Sequence, residues 1–189
     1  MPNIQHYYLY QIWPNACSQG GNRQSDKLRD LQRMLPRLYS NMSVMSTLGI
    51  KPEGSCHYPA AGYAEMARLM VPLVERDNYG KVFNESITPA DLVRASYISD
   101  KKDEIALEFD QPMAWLESLA SQVYLDGKAG RVVSGIVSGN VIKLKLAAAS
   151  DAKTITYLCD RQWDPRNLLY GQNGIAALTF CEVPIGGEK

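Results

Sequence analysis

Residues 132–146, VVSGIVSGNVIKLKL, decide the fold of the C-terminal half of the chain. Two runs rich in β-branched residues flank the turn-forming triplet at 138–140, which is a hairpin signal. In the second run apolar residues alternate with Lys143 and Lys145. Such alternation buries one face of a strand and leaves the other in water. The stretch therefore predicts two adjacent antiparallel strands.

The same period of two recurs on both sides of this hairpin. The short alternating runs are ASYIS (95–99), EIALEF (104–109), QVYLDG (122–127) and TITYLC (154–159). Asp, Gly, Lys and Ser supply the turns between them, and this pattern is typical of an antiparallel β-sandwich. We therefore predict a β-sandwich-like domain over residues 79–189, with its boundary near residues 77–86.

Residues 1–78 follow a different pattern. The runs QHYYLYQIW (5–13) and NMSVMSTLGI (41–50) predict two strands, of which the first suits a buried strand of a parallel sheet. Between them Ser25 suits a helix N-cap, and a break is expected at Pro36. The apolar face of this helix is marked by leucines at helical spacing: Leu28, Leu31, Leu35 and Leu38.

A second helix is predicted after residue 57, with a kink or restart at Pro72. Its apolar face is formed by Tyr63, Ala67, Met70, Val71 and Val74. Strand, helix, strand, loop and helix is the order of a doubly wound α/β domain, so residues 1–78 predict part of a flavodoxin-like three-layer unit. Such a sheet needs about five strands. We therefore expect exposed apolar surface, a missing partner segment or self-association.

Composition excludes several classes of partner. The 189 residues include 20 basic and 20 acidic side chains, so the formal net charge is zero and no broad field attracts nucleic acid or anionic lipid. The longest apolar stretches are far shorter than a membrane span, and the first thirty residues contain no signal-peptide pattern. We therefore expect neither nucleic acid nor membrane as a partner.

The cysteines do not predict a metal site. Cys17, Cys56, Cys159 and Cys181 have no CxxC pair and no zinc-ligand spacing. Buried apolar thiols are the simplest interpretation, and a bridge between Cys159 and Cys181 on neighbouring strands is the alternative.

His57 is the main candidate for chemistry. It lies in a turn-rich segment after the second predicted strand and just before a helix, and open α/β folds place catalytic groups at the carboxyl ends of their strands. The alternative is a structural histidine whose ring nitrogens are satisfied by the protein. His6 lies within the first predicted strand beside two tyrosines, and we expect it to be a packed core residue.

The stretch GSCHYPAAGYAEMARLM (54–70) resembles the last conserved block of the SGNH hydrolases, in which a histidine before a small-residue helix start is the general base. LRDLQRMLP (28–36), VMSTLGI (44–50) and NYGK (78–81) resemble, in order, the sialate O-acetylesterase branch of that superfamily. EIALEFDQP (104–112) and NLLYGQNGIAALTF (167–180) are similar to its β-rich tail. The ordered series of blocks, rather than any single motif, carries the resemblance.

The resemblance implies a serine acyl-enzyme mechanism with His57 as base and no metal or nucleotide cofactor. The family's Gly-x-Ser block is not found in this chain, and Ser40 is a poor substitute because it follows a helix and enters a strand. Glu53, four residues before the histidine, is the candidate acid, with a solvated turn residue as the alternative. Cys56 is a rival nucleophile, but neighbours on an extended loop point apart.

We therefore expect the C-terminal part of a carbohydrate O-acetyl esterase that acts on an acetylated sugar or glycan. An N-terminal segment or a second chain would carry the serine. The alternative is a non-catalytic module that binds glycan or a partner through aromatic side chains, namely Trp115, Trp163 and Tyr170. For each of these three, a core or interface residue is the simpler interpretation.

Overall fold

The computed structural model describes residues 5–14, 25–50, 57–158 and 164–186. Its helices are α1 (Ser25–Leu38), α2 (Ala60–Tyr79) and a 3₁₀ helix (Glu117–Gln122). Its strands are β1 (Tyr7–Gln11), β2 (Met42–Ser46), β3 (Leu92–Tyr97), β4 (Glu104–Phe109), β5 (Met113–Ala114), β6 (Val123–Leu125), β7 (Val132–Ser138), β8 (Val141–Leu146), β9 (Thr154–Tyr157), β10 (Tyr170–Gly171) and β11 (Phe180–Pro184). None of the helices within these ranges combines the length and apolar character needed to cross a bilayer.

The N-terminal part consists of a helix, a two-stranded parallel sheet and a second helix. β1 pairs with β2 in parallel. Tyr8, Tyr10 and Met45 lie on one face of this sheet, where they pack with apolar residues of α2. Gln11 lies on the other face, where its side chain donates to the Arg29 carbonyl of α1. The two predicted strands and two predicted helices are present, whereas membership of an SGNH unit stays a prediction.

The C-terminal part is rich in antiparallel strands. They form a four-stranded sheet in the order β3-β4-β8-β7, a three-stranded sheet in the order β11-β9-β6, and the short pair β10-β5. Residues from the two larger sheets, among them Leu107, Leu144 and Tyr157, belong to one hydrophobic core. The chain is therefore mixed α/β with several antiparallel sheets, and their packing as a β-sandwich stays a prediction.

The hairpin predicted at 132–146 is confirmed. β7 pairs antiparallel with β8, and Gly139 forms the turn with φ at 60°, a conformation that favours glycine. Ile142 and Leu144 are fully buried, whereas Lys143 and Lys145 face solvent. Burying each such apolar side chain contributes about 1.5 to 3 kcal/mol, so alternation alone is enough to orient the strand.

Helix α1 packs through its arginines, and its leucine face points to solvent. Arg29 is completely buried and Arg33 is 4% exposed. By contrast Leu28, Leu31 and Leu38 are 48%, 65% and 69% exposed. The apolar face identified from leucine spacing is therefore the outer face of the helix. The leucine spacing could not show this, because the groups that bind the arginines lie far away in the sequence.

The buried arginines bind the β-rich part directly. Arg29 Nε donates to Thr179 Oγ1 at 3.0 Å, and its Nη2 lies 3.4 Å from the Leu158 carbonyl. Arg33 donates to the carboxylate of Asp91 at 2.9 Å and to Asp30 at 2.8 Å. Burial acts to lower the pKa of the Arg33 guanidinium. The carboxylates of Asp91 and Asp30 outweigh this effect, so the pKa is raised. α1 thus joins the two parts of the chain.

The predicted break at Pro36 is wrong, because α1 continues past this proline to Leu38. The helix α2 likewise continues through Pro72. Each proline removes one intrahelical hydrogen bond. In α1 the last turn is held from outside, since Arg37 bonds to Asp91 and to the Leu92 carbonyl. In α2 the buried side chains on either side of Pro72 anchor the helix in the core. Tertiary packing therefore outweighs the local penalty.

Contacts cross the predicted boundary between residues 78 and 79. Leu48 belongs to the core of the β-rich part, and Arg29 of α1 donates to Thr179. The side chain of Gln11 binds both backbone groups of Thr179. The domain division itself, 1–78 and 79–189, stays a prediction.

Candidate functional site

His57 lies on the surface, beyond the carboxyl end of β2 and just before α2. The residue is exposed, and Pro59 caps the helix with extended backbone and no side-chain hydrogen bond. Within the described part of the chain, no hydrogen bond or ion pair involves the His57 ring. A ring in this state could approach a substrate or a nucleophile supplied from outside. Its role as a general base stays a prediction.

Glu53 and Cys56, the two residues predicted to accompany His57, lie outside the described residues. Cys17, Cys159 and Trp163 lie outside them as well. Cys181 carries a free thiol, whose pKa is raised to about 12 mainly by burial. Cys181 is thus an unbridged thiol that is only partly buried, rather than the buried apolar thiol of the simplest interpretation.

Ser40 is far from the candidate site. It is an exposed turn residue between α1 and β2, at the amino end of the strand. His57 follows the carboxyl end of the same strand, and five residues of strand span about 17 Å. Ser40 therefore cannot be the nucleophile for His57, in agreement with the order of elements in the sequence.

Tyr58 fixes the backbone next to His57 through aromatic packing. Its ring makes edge-to-face contacts with Trp13, at 6.4 Å between centroids, and with Tyr63, at 5.9 Å. Gly62 makes room for this ring, because a Cβ at that position would lie only 3.0 Å from Tyr58 Cβ. The carboxyl edge of the sheet is thus lined with aromatic rings beside the candidate base.

This aromatic cluster was not identified from the sequence. Gly62, in the first turn of α2, was the available signal, because a glycine there leaves room for a ring from the segment before the helix. Burial is the main cause that raises the pKa of the Tyr58 hydroxyl, and the neighbouring Thr47 hydroxyl partly opposes this effect.

Two of the aromatic residues proposed for glycan binding are packed against the protein. The Trp115 ring covers Gly135, where a Cβ would lie 2.3 Å from the indole. Tyr170 packs against the β-rich core, and its hydroxyl would lie 2.9 Å from a Cβ at Gly49. Both rings are therefore in positions expected of core or interface residues.

His6 belongs to a polar cluster at the opposite, amino edge of the sheet. Its Nε2 lies 3.0 Å from Ser43 Oγ and 3.2 Å from Asp77 Oδ2. The expected packed core residue is instead a partly buried histidine with polar partners. In a catalytic triad the serine and the acid bind opposite ring nitrogens. Here both contacts fall on the same nitrogen, so Ser43, His6 and Asp77 do not form a triad.

Asp77 connects this cluster to α2. Burial acts to raise the pKa of Asp77, but its hydrogen bond to Arg76 and the neighbouring His6 outweigh burial and lower the pKa. The Asp77 side chain is 14% exposed. A carboxylate with a lowered pKa stabilises the folded state above its unfolded pKa, and this stabilisation is lost as the pH falls through the folded value.

We expect Asp77→Asn to be less stable than the unsubstituted protein by up to about 1 kcal/mol at pH 6. The difference should shrink as the pH falls below the ordinary carboxyl pKa, and it should vanish only below the lowered pKa of Asp77 in the folded protein, where the native carboxylate becomes protonated. Urea unfolding at a series of pH values measures it, with Asp100→Asn at an exposed turn as the control. A difference that persists unchanged at pH 2 would contradict an electrostatic role for Asp77.

A cleft of about 370 Å³ lies beside the segment that follows α2. Its lining includes Arg76, Lys81 and Phe83, but the Arg76 guanidinium is paired with Asp77 and the Lys81 ammonium with Glu75 at 2.7 Å. The hydroxyls of Ser86 and Thr88 in its lining bond to each other, and no histidine of the described residues lines the cleft. Among the described residues, no group of three or more His, Cys, Asp or Glu side chains is arranged to hold a metal ion.

The fold is similar to that of a known enzyme. No protein-family model matches the sequence, and no curated protein matches it either. The solved structure of a carbohydrate acetylesterase from Xanthomonas citri matches with a TM-score of 0.69 and 11% sequence identity. The match covers 93% of this chain and 40% of that chain. At this identity the similarity concerns the fold, and this chain spans less than half the length of the matched structure.

Proposed function

We propose that the chain is the base-carrying part of a carbohydrate O-acetyl esterase, with a nucleophilic serine supplied from outside it. The observation that carries this proposal is the exposed ring of His57 at the carboxyl edge of a parallel sheet. A fold that matches part of a carbohydrate acetylesterase supports it. The sialate O-acetylesterase branch is the finer assignment, and it rests on the ordered sequence blocks.

In the proposed mechanism His57 accepts the proton of the serine hydroxyl as the serine oxygen attacks the acetyl carbonyl. The imidazolium then donates that proton to the departing sugar oxygen, which leaves an acetyl-serine. A water molecule, deprotonated by the same ring, hydrolyses the acetyl-serine and releases acetate. Glu53 is the proposed acid that orients the ring and stabilises its charged form.

The positions of the serines near β2 support an external source of the nucleophile. Ser40 is exposed at the amino edge of the sheet, and Ser43 lies there too, bonded to His6. Ser46 is buried, with its hydroxyl accepting a hydrogen bond from the Leu48 amide. These three serines, which lie on β2 or directly before it, are therefore unsuited to attack a substrate beside His57. We propose that a complementary segment, in the same or another polypeptide, supplies the nucleophile and the oxyanion hole.

We expect the 189-residue chain alone to hydrolyse 4-nitrophenyl acetate no faster than a His57→Ala variant. Loss of one triad member typically removes several orders of magnitude in rate. A serine-reactive fluorophosphonate should label the chain below stoichiometry. Rapid turnover with one label per chain, mapped by mass spectrometry to a serine of this sequence, would place the nucleophile inside the chain and refute this part of the proposal.

A further inference from the structure

The cleft of about 370 Å³ beside the end of α2 has walls that the protein itself holds in place. Its volume is within the range of about 300 to 1,000 Å³ that is usual for ligand pockets. The Asn173 amide donates to the carbonyls of Ser86 and Thr88, at 3.1 and 2.8 Å. At the start of the same segment the Lys81 amide donates to the Glu75 carbonyl of α2. The segment that lines the cleft is therefore tied down at both of its ends.

Two cations line this cleft, and each is already paired with a carboxylate. Arg76 donates to the Asp77 carboxylate through Nε and Nη2, at 2.6 and 3.0 Å. Its Nη2 also lies 3.3 Å from Ser43 Oγ, whereas Nη1 has no hydrogen-bond partner among the described residues. Lys81 Nζ donates to Glu75 at 2.7 Å, and an ammonium group has three donors. Both cations therefore retain hydrogen-bond donors, although their charges are balanced.

The cleft also contains acceptors. The Glu85 side chain is exposed, and in the part of the chain that the structure describes it forms neither a hydrogen bond nor an ion pair. The hydroxyls of Ser86 and Thr88 lie 3.1 Å apart, so one of them donates to the other and the second keeps its hydrogen for another partner. Donors and acceptors thus occur together in the lining.

Phe83 adds an apolar surface to these polar groups. Its ring is partly buried, and Lys81 Nζ lies 5.1 Å from the ring centroid. Ligand sites typically combine an aromatic wall with a few polar groups that fix the orientation of the ligand. A ligand for this cleft should therefore have C–H groups as well as hydrogen-bonding groups.

The charges in the cleft favour a neutral ligand. An anion would find Arg76 and Lys81 already paired, and the unpaired carboxylate of Glu85 would repel it. A cation would be repelled by the same two basic side chains. A hydroxyl group both donates and accepts, so a neutral ligand with several hydroxyls can use the donors and the acceptors of the lining at once.

We infer that this cleft binds a neutral sugar ring. The hydroxyls of the sugar would bond to Arg76, Lys81 and Glu85, and its C–H groups would pack on the ring of Phe83. α2 has 20 residues and is therefore about 30 Å long, with His57 before its start and the cleft at its end. One sugar ring cannot occupy both places, so the inference does not depend on the proposed role of His57.

Two-dimensional NMR of the isotope-labelled chain tests the inference with neutral methyl glycosides of glucose, galactose, mannose and N-acetylglucosamine. At least one of them should shift the amide signals of residues 81–88, with a dissociation constant of order 1 to 10 mM. The glucuronide and the glucosaminide carry a negative and a positive charge on the same ring as the glucoside. Each should bind at least about fivefold more weakly than the neutral glycoside that binds best.

The variant Glu85→Ala tests the polar contribution. Because this side chain is exposed and unpaired among the described residues, the variant should keep the circular dichroism spectrum and melting temperature of the unsubstituted chain. Loss of a hydrogen bond to a charged group should weaken sugar binding about tenfold. The matched control is Glu117→Ala, at another exposed glutamate, and it should leave the affinity unchanged. Phe83→Ala should also weaken binding, by about threefold or more.

Three results would overturn the inference. The first is that no glycoside shifts the amides of residues 81–88 at up to about 50 mM, and the second is that the glucuronide binds more tightly than the glucoside. The third is equal affinity in Glu85→Ala and Glu117→Ala. Shifts confined to residues 57–63 would also contradict it, and would instead place the sugar beside His57. None of these measurements uses catalysis, so the inference can fail without affecting the proposed function.

Discussion

Replacing Arg29 by alanine is expected to lower the free energy of unfolding by about 3 to 5 kcal/mol. The Arg29 side chain is completely buried between α1 and the β-rich part, and its guanidinium donates to Thr179 Oγ1. Truncation leaves a cavity where the aliphatic stem lies, and it also removes donors from buried acceptors. Both effects fall on the contact that joins the two parts of the chain.

Chemical denaturation followed by circular dichroism measures this effect as a shift of the transition midpoint. Arg29→Met keeps most of the packed stem, so its cost should be limited to the lost hydrogen bonds, about 1 to 3 kcal/mol. The surface control is Lys27→Ala on the same helix. Lys27 forms an ion pair with Glu182 that is exposed to solvent, so its removal should leave the stability nearly unchanged. If Arg29→Ala costs no more than Lys27→Ala, the arginine does not hold α1 in place.

In an enzyme reconstituted with a segment that carries the serine, His57→Ala is expected to lower kcat/KM for an acetylated sugar by about 10³-fold or more. Without the ring, no group deprotonates the serine or protonates the leaving oxygen. Glu53→Gln should have a smaller effect, because the ring would remain and only its orientation and charge stabilisation would suffer. Steady-state kinetics on purified variants provide the measurement.

His6→Ala is the matched control, since His6 is the other histidine of the chain and lies at the opposite edge of the sheet. It should change kcat/KM by less than about threefold. Binding of the complementary segment should be measured separately for each variant, so that failed assembly is not mistaken for lost catalysis. Activity that survives His57→Ala would return this histidine to a structural role.

The strands of the β-rich part could be predicted because their determinants are local. In β4 and β8 every second residue is apolar, and those residues are the buried ones: Ile105, Leu107, Phe109, Ile142, Leu144 and Leu146. The short strands β5 and β10 could not be predicted. Each has two residues, and their pairing depends on partners more than fifty residues away.

The orientation of α1 could not be predicted, because periodicity identifies faces and not their partners. Its leucine spacing correctly indicated a helix, but the buried face is chosen by Thr179 and Asp91, which lie far along the chain. The position of His57 could be predicted from the order of strand, loop and helix. The packing of Tyr58 on Gly62 could not, since it depends on the exact path of the chain into α2.

The side chain of Gln11 has a consequence for synthesis of the protein on the ribosome. Its amide accepts from the Thr179 backbone N–H and donates to the Thr179 carbonyl, across 168 residues of sequence. A growing chain cannot make this contact until Thr179 has left the exit tunnel of the ribosome. Until then Gln11 and Arg29 must remain hydrated or find temporary partners, although α1 can already be helical. In multidomain chains the N-terminal part usually folds first, during synthesis. Gln11 and Arg29 cannot reach their native contacts at that stage. Their docking should be among the last events of folding, as expected for contacts of such large sequence separation.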